Sequence, residues 1–289
     1  MQQAENRVQI HSVTRSWRRK GLTIALVPTM GNLHGGHIAL VEAARKEADR
    51  VVASIYVNPT QFGQGEDFTS YPRTLEADCV ALEQAGCDVL FVPGHDTMYP
   101  SGLEHAIRLQ ASPDLATILE GNTRPDHFNG VVTVVARLFN LVDPDIAVFG
   151  EKDYQQLLVI QRMVYDLGYN IRIVPVPTVR ESSGLAMSSR NNYLESAERA
   201  SAGRLNAVLL DAAGQINDGA EDFSRVEQDT ISILEESGFR VDYVAVRRAG
   251  DLDLPRSDDQ ELRVLAAVWS GLTRLIDNVG VIRVGISGH

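Results

Sequence analysis

Two histidines three residues apart, His34 and His37, close a glycine-rich run, Pro28-Thr29-Met30-Gly31-Asn32-Leu33-His34-Gly35-Gly36-His37. Imidazole nitrogens can donate to a bound anion, and a spacing of three lets both rings address it from one side. The run follows an apolar stretch, 22–27, and leads into a helical spacing of apolar residues at Ile38, Leu40, Val41 and Ala44. It therefore occupies a strand-to-helix junction, where the first N–H groups of the helix lack partners and its dipole attracts negative charge. Gly31, Gly35 and Gly36 leave the backbone open to close approach. A metal, or a solvated helix end, would use the same residues. No second Cys or His cluster stands at a zinc-like spacing, so no metal is assigned to the protein and a phosphate-bearing ligand leads.

Four more polar clusters carry candidate chemistry. Gln61, in Tyr56-Val57-Asn58-Pro59-Thr60-Gln61-Phe62, offers an amide donor and acceptor to a small polar substrate, with Pro59 fixing the turn. Gly150-Glu151-Lys152-Asp153 follows a strand ending at Phe149 and opens a helix carrying Gln156. Lys152 there would set a point charge beside phosphates, the plainer alternative being a surface Lys–Asp pair. Gly184-Leu185-Ala186-Met187-Ser188-Ser189-Arg190-Asn191 places two hydroxyls and a guanidinium in a stretch suited to a mobile loop closing on a triphosphate. Finally, Gly121-Asn122-Thr123-Arg124-Pro125-Asp126-His127-Phe128-Asn129-Gly130 reads as a long polar loop. It either lines a pocket with Arg124 and His127 or merely connects two elements.

Positioning these groups requires a frame, and the apolar pattern supplies one. Stretches 22–27, 51–57, 89–92, 146–149 and 171–176 are rich in β-branched residues and read as strands. Stretches 38–48, 75–85, 131–141 and 155–167 read as helices between them, with Gly86 and Gly168 as stops. Such alternation predicts an α/β fold, a Rossmann-like doubly wound parallel sheet whose ligands bind at the carboxyl ends of strands. The Pro175-Val176-Pro177 stretch marks a hinge, dividing a first domain, 1–177, from a second, 178–289. Helices near 195–217 and 224–237, then strands near 240–247 and 261–269, make the second a smaller α+β domain. The segment 251–261 reads as a solvated acidic loop, and 285–289 carries no readable pattern.

Composition narrows the function classes. The 289 residues exceed one average domain, and 44% apolar content suits a packed core. A net charge of -11 argues against a general nucleic-acid binder, so an anionic ligand must be held by local donors. Two cysteines, Cys79 and Cys87, form no CxxC and no disulfide framework, which fits a reducing cytoplasm. No apolar run reaches the ~18–20 residues of a membrane span. The basic stretch around Arg15, Arg18, Arg19 and Lys20 reads as a first helix with a solvated cationic face, not as a signal peptide.

Taken in order, the segments resemble those of the pantothenate synthetases (pantoate–β-alanine ligases) across residues 9–278. The matching residues are the opening decapeptide, Asn58-Pro59-x-Gln61-Phe62, Tyr71-Pro72-Arg73-Thr74, Phe149-Gly150-Glu151-Lys152-Asp153-x-Gln155-Gln156 and Ser188-Ser189-Arg190-Asn191. The resemblance implies the nucleotidylyl-transferase superfamily, whose HxGH signature His34-Gly35-Gly36-His37 fits. It implies a homodimer that takes ATP as a substrate, with Mg2+ bound mainly through the ATP phosphates. By the same resemblance, Met30, Gly31, Asn32, Leu33, His34, Gly35, Gly36 and His37 would bind ATP, with His37 as proton donor. Gly150, Glu151, Lys152, Asp153, Val179, Met187, Ser188, Ser189 and Arg190 would complete the nucleotide site. Gln61 would contact pantoate and β-alanine, and Gln156 pantoate. The family commonly has Asp-Gly-Leu where this chain has Ser183-Gly184-Leu185, and residues 281–289 have no counterpart.

The implied reaction joins pantoate and β-alanine to pantothenate through a pantoyl adenylate, releasing AMP and pyrophosphate. His34, His37, Lys152, Arg190 and the helix N-terminal amides are the groups to stabilise charge on the departing pyrophosphate. A rival within the superfamily is a nucleotide adenylyltransferase. Gln61 and Gln156 argue against it, since a phosphate acceptor usually draws Arg or Lys. A tRNA-binding module or a nucleotide sensor without turnover are more distant readings, the former opposed by the acidic charge.

Overall fold

A computed structural model of the chain describes residues 1–63 and 65–283. Backbone packing separates two compact units: Met1–Glu151 with Gln155–Pro177, and Thr178 onward together with Lys152–Tyr154. The hinge expected at 175–177 places residues 152–154 in the first domain; they pack with the second unit.

The first unit alternates strands and helices: β1 (Gln2–Ala4), α1 (Arg7–Arg18), β2 (Ile24–Thr29), α2 (Gly35–Glu47), β3 (Arg50–Ile55), α3 (Leu75–Gln84) and β4 (Val89–Phe91). Three single-turn helices follow, α4 (His95–Met98), α5 (Pro113–Ala116) and α6 (Glu120–Thr123). Then come α7 (His127–Val142), β5 (Ile146–Gly150), α8 (Tyr154–Asp166) and β6 (Arg172–Val176). The six strands form one sheet in the order β1-β4-β3-β2-β5-β6, every pair parallel. From β2 the chain winds outward through β3 and β4, then returns to lay β5 on the other side of β2. The carboxyl ends of β2 and β5 therefore flank the reversal of strand order, where open α/β sheets bind ligands.

Why these segments become strands is plain from burial. Ile24, Ala25, Leu26 and Val27 are all fully buried, so both faces of β2 are covered, as a parallel sheet requires. On one face Ala25, Val27, Val51, Ala53, Leu90 and Val148 pack with Val41 and Ala44 of α2 and Leu82 of α3. Helix α7 is apolar nearly all round and correspondingly buried, and it packs against α1 and the turn at residues 59–61. Two details differ from the sequence expectation. Strand β1 is only three residues long with two polar side chains, too little pattern to read. The supposed polar loop at 121–130 is mostly helical, because α6 and the first turn of α7 carry polar residues that serve contacts described below.

In the second unit, α9 (Ser196–Ala202), α10 (Arg204–Asn217) and α11 (Phe223–Glu236) precede three antiparallel strands, β7 (Arg240–Arg248), β8 (Glu261–Ser270) and β9 (Thr273–Ile282), in that order. Leu262, Val264, Ala266 and Val268 alternate along β8 and share a core with Leu205, Leu209 and Ile216 of α10 and Val226 and Leu234 of α11. The single helix expected near 195–217 is divided at Gly203, whose Cα lies against the Ser183 carbonyl; a Cβ there would come within 2.0 Å of it. Strand β9 is absent from the sequence expectation, because its apolar alternation is interrupted by the buried polar pair Asp277 and Asn278. Residues 251–260 are the loop expected between β7 and β8, with Glu261 already the first residue of β8, and the loop is held at its start by Arg248 with Asp251 and Asp253. At the end of the chain, Val281 and Ile282 complete β9, and residues 284–289 lie outside the described residues. Among the described residues, no helix is long and apolar enough to cross a membrane.

Candidate active site

The histidine turn is built as a reciprocal cap on α2. His34 is the N-cap residue, and its Nδ1 accepts from the Gly36 N–H at 3.1 Å. His37, three residues on, turns its own Nδ1 back to accept from the His34 N–H at 3.3 Å. Imidazoles here replace the usual Ser and Glu of a capping box. The two ring centroids lie 4.1 Å apart. Because a backbone N–H can only donate, each Nδ1 must be an acceptor, and the proton of each neutral ring sits on Nε2. In both rings Nδ1 is spent on the fold, and Nε2 carries the proton of the neutral form.

A buried carboxylate holds the other half of the turn. Asp78, on the first turn of α3, is 3% exposed; its two oxygens accept from the N–H groups of Asn32 (3.0 Å) and Leu33 (2.8 Å). The Thr74 hydroxyl donates to both oxygens at 3.2 Å. Gly31 adopts a left-handed φ of 82°, and a Cβ there would meet Asp78 and Ile55 at 3.1 Å. This glycine is required by packing as well as by the turn. The Gly31 N–H itself donates to Thr29 Oγ1. The amide cradle expected from the sequence is therefore largely committed internally, which leaves ring N–H groups and cationic side chains as the candidate donors to an anion. Asp78 is a site residue that sequence reasoning does not find; its signal is an acid four residues after Thr74 in a helix that otherwise turns apolar residues inward.

At the carboxyl end of β3, the neighbour of β2, the turn Pro59–Gln61 carries the predicted Gln61. Asn58 is fully buried, and its Oδ1 accepts from the Tyr99 hydroxyl (2.7 Å) and the Thr60 hydroxyl (3.1 Å). Burial raises the Tyr99 phenol above its usual range, so it remains a donor. Asn58 must then donate through Nδ2, to Gln61 Oε1 at 3.1 Å and to the Gly130 carbonyl at 3.2 Å. With Oε1 engaged, the Gln61 amide has Nε2 to offer a substrate, a donor suited to a carboxylate or hydroxyl oxygen.

Past β5, residues Glu151–Asp153 form a single 3-10 turn leading into α8. Lys152 Nζ lies 3.5 Å from Asp153 Oδ1, with the lysine side chain 20% exposed, so the Lys–Asp pair of the plainer reading does exist. Such a half-solvated pair is worth ~0–1 kcal/mol and leaves the ammonium available to an anion. Within the second unit, Asn278 Nδ2 donates to the Lys152 carbonyl at 3.0 Å, and Tyr154 donates to the Ala249 carbonyl beneath the Arg263 guanidinium. Gln155 is buried and structural, tying Leu115, Ile118 and Glu120 through its amide. Its neighbour Gln156 is half-buried.

The stretch 179–191 is no bare loop. Arg180 and Ala186 form an antiparallel bridge, and the Met187 N–H donates to the Val179 carbonyl at 2.9 Å, bringing two predicted nucleotide residues together. Arg180 grips buried Asp277 bidentately at 2.6 and 2.9 Å, while Asn191 donates to Glu181 and to the Ala186 carbonyl. Ser188 caps the 3-10 turn Ser189–Tyr193 by accepting from the Arg190 N–H. Ser183, at the hairpin tip, accepts from the Leu185 N–H. Among the described residues, no group of three or more His, Cys, Asp and Glu could hold a metal ion.

Residues 30–37 thus follow β2, Gln61 follows β3, and Gly150 ends β5 with Gln156 beyond it, the three strands being adjacent. Comparison with known proteins points to one family. A family model described as pantoate-beta-alanine ligase matches residues 2–280. The pantothenate synthetase of Thioalkalivibrio sulfidiphilus is 53% identical over 281 residues, covering 97% of this chain and 98% of that one. The crystal structure of pantothenate synthetase from Thermus thermophilus superposes with a TM-score of 0.86 at 45% identity, covering 96% and 99% of the two chains. The Francisella tularensis pantoate-beta-alanine ligase, solved in complex with beta-gamma ATP and beta-alanine, gives a TM-score of 0.81 at 36% identity over 96% and 97%.

Proposed function

The chain belongs to the pantoate–β-alanine ligase family, and on that premise we propose how its residues divide the work of the reaction. The activity is the ATP-dependent ligation of pantoate to β-alanine. A carboxylate resists attack by an amine because oxide is a poor leaving group. We assign a first step in which a pantoate carboxylate oxygen attacks the α-phosphorus and the bond to pyrophosphate breaks. In the second, the β-alanine amine attacks the acyl carbon, AMP departs with the oxygen that joined them, and the nitrogen loses a proton.

Charge builds on pyrophosphate in the first step. The Nε2–H donors of His34 and His37, with Lys152 and Arg190, are assigned to it, and His37 is the proton donor. The remaining ATP contacts go to residues 30–33, 35–36, 150–151, 153, 179 and 187–189. Gln61 offers Nε2–H to pantoate and β-alanine, and Gln156 completes the pantoate contacts. Magnesium is assigned as a companion of the phosphates, both Asp78 oxygens being already engaged by backbone N–H groups. Bound there, it would neutralise phosphate charge while keeping several waters. A homodimer in the cytoplasm completes the proposal; light scattering at twice the 31.7 kDa chain mass tests the dimer.

The observation that most supports this reading is the reciprocal cap in which Nδ1 of His34 and Nδ1 of His37 each accept a backbone N–H at the strand-order reversal. Incubation with ATP, magnesium, pantoate and β-alanine should yield pantothenate, AMP and pyrophosphate in equal amounts. A dinucleotide, or ADP with phosphate, would overturn it.

A further inference from the structure

The polar decapeptide 121–130 has no part in the reaction as assigned above, yet it closes on one atom of the site. The Gln61 carbonyl accepts from His127 Nδ1 at 2.8 Å and from Arg124 Nη2 at 3.3 Å. Arg124 is itself fixed by a two-pronged pair with Glu66, both contacts 2.7 Å, and its Nη1 meets His127 Nε2 at 3.2 Å. Since arginine only donates, His127 Nε2 must accept; its ring proton lies on Nδ1 and points to Gln61. Every polar atom of the His127 ring is therefore committed.

The turn needs such support. Pro59–Gln61 is a single 3-10 turn, a geometry with little stability of its own. It sits directly on the start of α7, where a Cβ on Gly130 would fall 2.2 Å from the Thr60 carbonyl. Asn58 fixes the Gln61 amide; nothing in Asn58's contacts fixes the Gln61 main-chain carbonyl. We propose that His127 and Arg124, braced by Glu66, are positioning residues that hold the Gln61 backbone so that its Nε2–H meets the substrate oxygen. This rests on the reading that Gln61 contacts pantoate. Burial, with Arg124 adjacent, brings the His127 pKa down to about 4, which keeps the ring neutral under working conditions.

The test is a double-mutant cycle read by pantoate-dependent ATP–pyrophosphate exchange. His127→Leu should raise the pantoate KM about tenfold with kcat within about twofold, and the ATP KM should not move. His127→Asn, which keeps a donor near the Nδ1 position, should return the pantoate KM to within about threefold of the parent. In a Gln61→Ala background, His127→Leu should add less than about twofold, because the group it positions is gone. A full tenfold penalty in that background would make the clamp merely structural and overturn the proposal. If Gln61→Ala alone leaves the pantoate KM unchanged, the underlying reading of Gln61 fails instead. Should His127→Leu not fold, Arg124→Met enters the same cycle with the same two outcomes.

Discussion

His37 makes two demands on one ring, and they can be separated. Its Nδ1 accepts the His34 N–H and closes the cap, while Nε2 is the donor assigned to the phosphates. Asn places an acceptor near the Nδ1 position, whereas Gln reaches toward Nε2. His37→Asn should keep the parent's thermal midpoint yet lose roughly 10²–10³-fold in exchange rate, and His37→Gln should recover part of that rate. Equal rates for the two would remove the Nε2 donor from the reaction. His127 carries a second residue-scale consequence, in stability. Its pKa is about 4 in the folded chain, lowered by burial and then by Arg124, against opposing pulls from the Gln61 carbonyl, Glu66 and Glu120. An unfolded histidine titrates near ~6.5. Above that pH neither state binds the proton; between about 6.5 and 4 only the unfolded state does, so stability falls as pH falls through that window. The total is roughly 3 kcal/mol, fully expressed below the folded value. Denaturant midpoints measured from pH 7 to 4 should drop more steeply for the parent than for His127→Asn, and matching slopes would contradict the assignment.

Among elements, the junction of β2 and α2 depends on a helix that never enters the reaction. Asp78 reaches from α3 to take two part-buried backbone N–H groups, so Asp78→Ala leaves both without their acceptor at up to ~1–3 kcal/mol each. The expected result is a lower melting temperature together with faster hydrogen exchange at Asn32 and Leu33, and unchanged protection at those two amides would refute it. The contrast between what can and cannot be read in the chain is clearest here. The strand–turn–helix at 22–48 is legible because apolar period and glycines agree locally. The bond from Asp78 is not, since it joins residues 46 apart and leaves no mark on either pattern. The polar faces of α6 and α7 read as a loop for the same reason: their polarity serves Gln61, 63 to 66 residues away. The second unit is less fully legible, because Arg180–Asp277 buries charge inside β9 and breaks the alternation that marks a strand.

For the whole molecule, an acidic chain must take in a polyanion. With a net charge of -11, its overall field does not favour ATP, so recognition has to come from a few donors placed at one edge of the sheet. The doubly wound order answers that need by setting the ends of β3, β2 and β5 side by side, and this architecture is legible from strand–helix alternation alone. The roles within it reduce to one chemical claim, that pantoate is activated by its own carboxylate attacking the α-phosphorus. Pantoate labelled with oxygen-18 in both carboxylate oxygens tests this most directly, followed by mass spectrometry of the products after reaction with unlabelled ATP and β-alanine. One labelled oxygen is expected in AMP and the other in the new amide carbonyl of pantothenate. Unlabelled AMP, or label appearing in pyrophosphate or phosphate, would contradict it.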